Sequence, residues 1–312
     1  MKTLINKLVF LFVLLFISCQ SGDREFTETF VDNLTESDSI PHTSHALDTG
    51  NHLNVAVSAM ISPKETMKYY EELFSFISHK LNYDIEFKQR RTYQEVNQLL
   101  AQNMVDMAFV CSGAYIIEKE NSNIEILAVP VCNGKPLYQA YVIVNRSSGI
   151  SSFEELQGKT FAYTDPLSNT GKLYADKRVK ELGFKSQDFF SKTLYSNAHD
   201  ISMQLVSKKV VEGATIDGLI FDYIKEKYPE KVENLSIIEK SEFYGIPPVV
   251  VPSGIEPNIK EKLREIFLNL HNDSLGKIIL DELLIDKFVL GNDEDYDNLR
   301  ECRKFVINEK AK

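Results

Sequence analysis

The chain has 312 residues, of which 43% are hydrophobic and 26% charged, enough for one large or two moderate domains that each bury a core. Its formal net charge of -10 comes without an apparent basic face, which excludes nucleic acid as the main partner because phosphate neutralisation needs clustered Lys and Arg. A small bound anion remains compatible, since a local field can oppose the net charge.

The first nineteen residues, MKTLINKLVFLFVLLFISC, place two lysines before an apolar run from Leu8 to Ile17. That run is too short for a comfortable membrane span and reads as a secretory signal. Its end, Phe16-Ile17-Ser18-Cys19, resembles the lipobox of bacterial lipoproteins, although Phe16 replaces the usual leucine. The resemblance implies removal of residues 1–18, acylation of Cys19 and an extracytoplasmic protein anchored to a bacterial membrane, in the periplasm or at the cell surface. Residues 19–51 are polar and acidic with little to bury and read as a flexible tether. Cys111, Cys132 and Cys302 form an odd set without C-x-x-C spacing, which suggests neither a metal site nor a disulfide framework. Buried thiols are expected, with oxidation of one pair left open.

Folded sequence starts with HLNVAVSA, a strand pattern, then Ser62-Pro63 and a helix in which Met67, Tyr70, Leu73, Phe74, Ile77 and Leu81 recur at helical spacing. A strand YDIEFKQR, a helix from Tyr93 to Gln102 and a strand DMAFVCS follow. This βαβαβ order predicts an open α/β sheet, with ligands outside the C-terminal ends of its strands. The strand pair IEILAVPVCNG and PLYQAYVIVNR leads into a second unit of the same rhythm. That unit reads helix SFEELQG, strand KTFAYT, helix TGKLYADKRVKELG, strand KTLYS, helix AHDISMQLVSKKV and strand ATIDGLIFD. After NLSIIEKSEFYGIPPVVV, helices are predicted in PNIKEKLREIFLNL and SLGKIILDELL.

Two turns carry donor chemistry. In TDPLSNTGKLY, Pro166 ends a strand, Ser168 can cap a helix, and Thr170 and Gly171 fall in its first turn. Unpaired backbone N–H groups, the positive end of the helix dipole and two hydroxyls favour a tetrahedral oxyanion there, and glycine admits close approach. A capped helix start explains the same residues more simply. In LYSNAHDISMQLV a second strand enters a helix through Ser196 and Asn197, with His199 near the helix start. The dipole favours a neutral imidazole there that donates through one nitrogen and charges if an anion arrives. Two such turns in one α/β sheet face the same crevice.

In the order and spacing of SPKETMKYYEELFSFISHKL, RTYQEVNQLLAQNMVDMAFVCSGAYI, YTDPLSNTGKLY, SNAHDISMQLV and GIPPVVVPSGIEP, the chain from about Asn54 to Leu268 resembles the phosphate, phosphite and phosphonate ABC transporter substrate-binding proteins. These PhnD-like proteins are a branch of the type II periplasmic binding proteins. The resemblance implies an α/β fold of two lobes joined by two hinge crossings, with ligand clamped by closure. Lobe 1 would comprise 52–141, lobe 2 142–245, and 246–312 would return to lobe 1 and end in helices. It implies that Ser168, Asn169, Thr170, Gly171 and His199 hold the ligand's oxygens from lobe 2, while Tyr93 and Tyr115 close over it from lobe 1. Met60 and Ser62 could line the same mouth. Asp217 lies where some members direct an acid toward the ligand, and a structural role is equally open. Phosphonate binders of this kind place an aspartate where Pro247 stands, which argues against aminoethylphosphonate.

The implied partners are a small oxyanion, an ABC permease and, through lipid, a membrane; a monomer without cofactor or metal is expected. A sensor module of the same fold, passing a signal to a membrane partner, is the alternative. An enzyme is not expected: His199, Asp217 and Ser168 invite a triad reading, but G-x-S-x-G, H-E-x-x-H and P-loop motifs are absent.

Overall fold

The computed structural model describes residues 29–30 and 51–308. The signal segment, Cys19 and the rest of the tether lie outside the described residues, apart from the two-residue strand β1 (Thr29–Phe30).

The chain alternates strand and helix from the outset: β2 (His52–Val57), α1 (Pro63–Leu81), β3 (Asp84–Gln89), α2 (Tyr93–Ala101), β4 (Met107–Phe109) and α3 (Ser112–Asn121). β2 pairs parallel with both β3 and β4, as right-handed βαβ units require. β5 (Ile124–Val131) then runs to β6 (Leu137–Tyr138), where the chain leaves this sheet.

A second sheet is built from β7 (Ala140–Asn145), β8 (Thr160–Tyr163), β9 (Lys192–Tyr195), β10 (Gly213–Asp217) and β11 (Leu235–Lys240). Its order is β1-β9-β8-β10-β7-β11, with β1 lying parallel to β9. Helices α4 (Tyr174–Glu181), α5 (Ser186–Phe189), α6 (His199–Ser207) and α7 (Gly218–Lys227) connect its strands.

The return passes through β12 (Tyr244–Gly245), which pairs antiparallel with β6, so the two crossings lie side by side. β13 (Val249–Pro252) inserts between β4 and β5, and its four residues are buried, as a central strand covered on both faces demands. Next come α8 (Pro257–Asn269), α9 (Ser274–Leu283), β14 (Lys287–Val289) and α10 (Asp297–Ile307). The first sheet is thus β14-β5-β13-β4-β2-β3. α10 reaches the second lobe: Lys180 on α4 donates to the carbonyls of Phe305 at 2.7 Å and Val306 at 3.2 Å and to that of Asn308. The cation thereby satisfies carbonyls left open at a helix C-terminus.

Three local expectations change. The strand read through ATIDGLIFD stops at Asp217, whose carboxylate accepts from Leu219 N–H at 2.8 Å and caps α7. The helix read in SFEELQG is one 3-10 turn, Glu154–Leu156, that seats Phe153 and Leu156 in the core. The helix starting at Thr170 opens as a wider π-helical turn, Asn169–Leu173, before α4 begins. Cys111, Cys132 and Cys302 are free and buried.

Candidate functional site

The C-terminal ends of β8, β9 and β10 each run straight into a helical turn, which sets three such turns beside one another on the second lobe. The first is the Ser168 turn. Ser168 Oγ accepts from Gly171 N–H at 2.9 Å, so this hydroxyl serves as a cap. Gly171 N–H is thereby occupied, and its carbonyl accepts from Thr164 N–H at 3.1 Å. A Cβ on Gly171 would lie 2.4 Å from Thr164 Cβ, so its glycine is required by the close approach of Thr164. The two intervening side chains keep free polar atoms. Asn169 donates through Nδ2 to the Tyr138 hydroxyl at 3.1 Å, which leaves its Oδ1 without a partner. Thr170 Oγ1 is fully buried and also partnerless among the described residues.

The second turn carries His199 at the first position of α6. Its Nδ1 accepts from Asp217 N–H at 3.1 Å and lies 3.1 Å from Thr164 Oγ1. A ring nitrogen that accepts from an amide is unprotonated, which assigns the proton to Nε2. Burial pushes the His199 pKa down to about 3, so the ring is a neutral donor and not the chargeable group the sequence allowed.

The third turn carries Asp217. One carboxylate oxygen caps α7; the other makes no hydrogen bond among the described residues and faces a cleft of about 510 Å³ between the lobes. Burial raises this carboxyl to about 7. No triad is assembled, because Ser168 Oγ is engaged by Gly171 and His199 meets the backbone of Asp217 and not its carboxylate.

The first lobe closes directly on these turns. The Tyr93 N–H donates to Asp165 Oδ2 at 3.0 Å, Ser62 N–H to Asp200 Oδ1 at 2.8 Å, and His199 N–H to the Met60 carbonyl at 2.9 Å. Three hydrogen bonds between lobes describe a shut hinge. Gly113, in the first turn of α3, is pressed so closely on the Ser168 turn that a Cβ there would sit 2.3 Å from the Leu167 carbonyl oxygen. On the first lobe, the Tyr93 hydroxyl and Ser58 Oγ are buried with no partner among the described residues.

Of the residues singled out in the sequence, Asn169, Tyr93, His199 and Asp217 lie at this interface, and Thr170 is buried in the turn beside Asn169. Ser168 and Gly171 shape the turn, whereas Met60 and Ser62 act through their backbone as latches, and Met60 also lines the cleft. Tyr115 is directed elsewhere: its hydroxyl donates to Asp293 at 2.6 Å and its ring packs on Tyr296 at 4.7 Å.

Sequence reasoning passed over Ser58, Asp165 and Tyr138, and expected Cys111 only as a buried thiol, which it is. Cys111 precedes α3, with the amides of Asn169, Gly113 and Ala114 turned toward its sulfur; burial still dominates and pushes the thiol up to about 11. It is inert packing at the junction of two N-termini. The signal for Asp165 was available in Asp-Pro before a turn, since Leu167 N–H closes on its carboxylate at 2.8 Å. Among the described residues no group of His, Cys, Asp and Glu could hold a metal ion, and no helix is long and apolar enough to cross a membrane.

Comparison with known proteins bears on the two-lobed arrangement and on the family. Residues 55–296 match the family model described as the periplasmic substrate-binding protein of a phosphonate ABC transporter. The chain is 25% identical over 245 residues to the phosphonates-binding periplasmic protein of Escherichia coli K12, covering 77% of this chain and 72% of that protein. The binding protein component of an ABC phosphonate transporter from Pseudomonas aeruginosa superimposes with a TM-score of 0.78 at 24% identity, over 82% of this chain and 86% of that one. A methylphosphonate complex of PhnD1 from Prochlorococcus marinus gives a TM-score of 0.75 at 16% identity, over 81% and 97%. At these identities the two structures speak to the fold, which is the two-lobed α/β fold of type II periplasmic binding proteins. With a family model spanning both lobes and the return strand, the chain belongs to the periplasmic substrate-binding proteins of phosphonate ABC transporters, which bind and deliver ligand and are not enzymes.

Proposed function

We propose that the chain captures a small oxyanion of phosphonate, phosphite or phosphate type at the closed lobe interface. Thr170, Asn169, Ser58 and Tyr93 would supply hydroxyl and amide hydrogen bonds, and His199 a neutral Nε2–H. The observation that carries this reading is three buried hydroxyls without partners among the described residues, Thr170 Oγ1 on the second lobe and Tyr93 Oη and Ser58 Oγ on the first. Buried polar groups without partners are uncommon, and a ligand with several acceptor oxygens would satisfy all of them at once. Hydrogen bonds to a charged acceptor are about twice as strong as neutral ones, so an anion can be held without a cationic side chain. Closure by the interlobe hydrogen bonds would exclude water, and a permease would release the ligand by separating the lobes. The protein would work as a monomer tethered by residues 19–51 and by lipid on Cys19, outside the cytoplasm as its family requires.

A thermal-shift screen of the purified mature protein with phosphate, phosphite, methylphosphonate, aminoethylphosphonate, sulfate and taurine tests the ligand class. A ligand at a hundred times its Kd adds about 2.7 kcal/mol of stability. If no member of the panel raises the melting temperature, the oxyanion reading is wrong. Membrane release of a Cys19→Ala variant tests the anchor.

A further inference from the structure

The cleft beside the cradle has a composition unlike the cradle's own. Asp217, Asp222, Glu226, Asp281 and Asp286 line it, and no lysine, arginine or histidine does. None of these five carboxylates enters an ion pair among the described residues. Their partners are neutral: Tyr141 donates to Asp222 at 3.0 Å, Gly134 N–H to Asp286 at 2.7 Å, and backbone amides to Asp217. The other wall is aromatic. Tyr69 stands edge-on to Tyr70 and Tyr223, with centroids 4.9 and 4.8 Å apart, and all three line the cleft. Ser58, whose buried hydroxyl lacks a partner among the described residues, and Asp217, with its uncapped oxygen, belong to this lining, and Asp217 also meets His199 of the cradle through its N–H.

A free oxyanion gains from the donors of the cradle but is repelled by a neighbouring wall of unpaired carboxylates. A ligand that carries its own positive charge turns that repulsion into attraction, and aromatic faces add cation–π stabilisation. The volume is also too large for a methyl or aminoethyl group alone, since about 510 Å³ is the size of a whole small-molecule pocket. Pro247 lines the same cleft and adds no side-chain acceptor for a hydrogen-bonding ammonium, whereas a quaternary cation needs none. We propose that the ligand's oxyanion bears a bulky organic cation of quaternary-ammonium type, seated in this cleft against Tyr69, Tyr70 and Tyr223 and facing Asp217, Asp222 and Glu226. This inference rests on the oxyanion reading of the cradle and names the class of substituent it would accept.

The test is calorimetric titration of the mature protein with four compounds: methylphosphonate, aminoethylphosphonate, the trimethylammonio derivative of ethylphosphonate, and its neutral tert-butyl analogue of the same shape. The quaternary compound should bind at least about tenfold more tightly than each of the others, a difference of about 1.4 kcal/mol. In an Asp222→Asn/Glu226→Gln variant its advantage over the neutral analogue should fall at least fivefold. Equal affinity for the quaternary compound and the neutral analogue would overturn the cation, and equal affinity for both and methylphosphonate would overturn any occupant of the cleft. In either case the cradle reading stands. If no phosphonate binds, the cradle reading fails and takes this inference with it.

Discussion

The two halves of the interlobe space differ in chemistry. The cradle residues are buried and neutral, with hydroxyls, amides and a histidine held uncharged by burial that pushes its pKa down to about 3. The adjoining cleft is wide, aromatic and acidic, with unpaired carboxylates at its wall and rim. Asp217 stands where they meet: its N–H fixes the His199 tautomer on one side while its carboxylate faces the other. If both proposals hold, the contrast would mean that an anion site is assembled without positive charge, while charge is kept for the part of a ligand that distinguishes one phosphonate from another.

Changing Asp217 acts on that border and should give the largest effect. Burial raises its carboxyl from the ordinary 3.8 to about 7 in the folded state. A raised folded pKa contributes stability that is present below pH 4 and is lost as pH rises toward 7. At pH 8 the buried charge therefore costs at most about 4 kcal/mol, at 1.36 kcal/mol per pH unit. Asn keeps the cap and removes the charge, so Asp217→Asn should melt well above the wild type at pH 8 and converge with it near pH 4. His199 runs the other way, losing stability as pH falls from about 6.5 toward 3, but it is present in both proteins and drops out of the difference. Parallel melting curves across this range would sink the prediction.

Closure comes next in size. A Gly113→Ala methyl would meet the Leu167 carbonyl oxygen at 2.3 Å, across the lobes and against backbone that cannot rotate away. Overpacking of about 3 kcal/mol, confined to the closed state, should weaken any cradle ligand roughly 100-fold. The open protein should be unharmed, since alanine favours the α3 helix. Small-angle scattering that still showed ligand-induced compaction at unchanged affinity would remove Gly113 from the interface. Within the cradle itself, Thr170→Val deletes a hydroxyl that has no hydrogen-bond partner among the described residues. Titration should show affinity lower by about 2 kcal/mol, roughly 30-fold, with melting temperature unchanged or higher.

How much of this was legible depended on whether a signal was local. The βαβαβ order, the Ser168 cap and the His199 helix start follow from periodicity and capping chemistry, and the structure has them. The Asp217–Gly218 break was written in the same chemistry, but the apolar run Leu219-Ile220-Phe221 reads equally as strand, and only the cap decides. Partner choice across the lobes was not legible. Asp165 and Asp200 gave no sign that they would accept from Tyr93 and Ser62, residues 72 and 138 positions away in the chain. The acidic cleft gathers Asp217, Asp222, Asp281 and Asp286 from α7 and the α9–β14 corner, a meeting that only the return of the chain creates.

Tyr93 and Tyr115 show the same limit in its smallest form, and they give the finest test of where the cradle ends. Each follows a strand of the first lobe, and the resemblance gave them the same role. Tyr93 opens α2, bonds the second lobe through its N–H and leaves its buried hydroxyl without a partner among the described residues; Tyr115, one turn into α3, commits its hydroxyl to Asp293 beside the C-terminal helix. Tyr93→Phe should therefore leave the apo melting temperature unchanged or slightly raised, because a buried unsatisfied hydroxyl is removed, and weaken ligand binding by about 1.4 kcal/mol, or tenfold. Tyr115→Phe should do the reverse, costing about 1 kcal/mol of stability, a few degrees in a domain of this size, at constant affinity. Melting and titration of both variants separate a hydroxyl that waits for a ligand from one that ties the C-terminal helix to the hinge. Equal losses of affinity would bring Tyr115 into the site and extend the cradle toward α10.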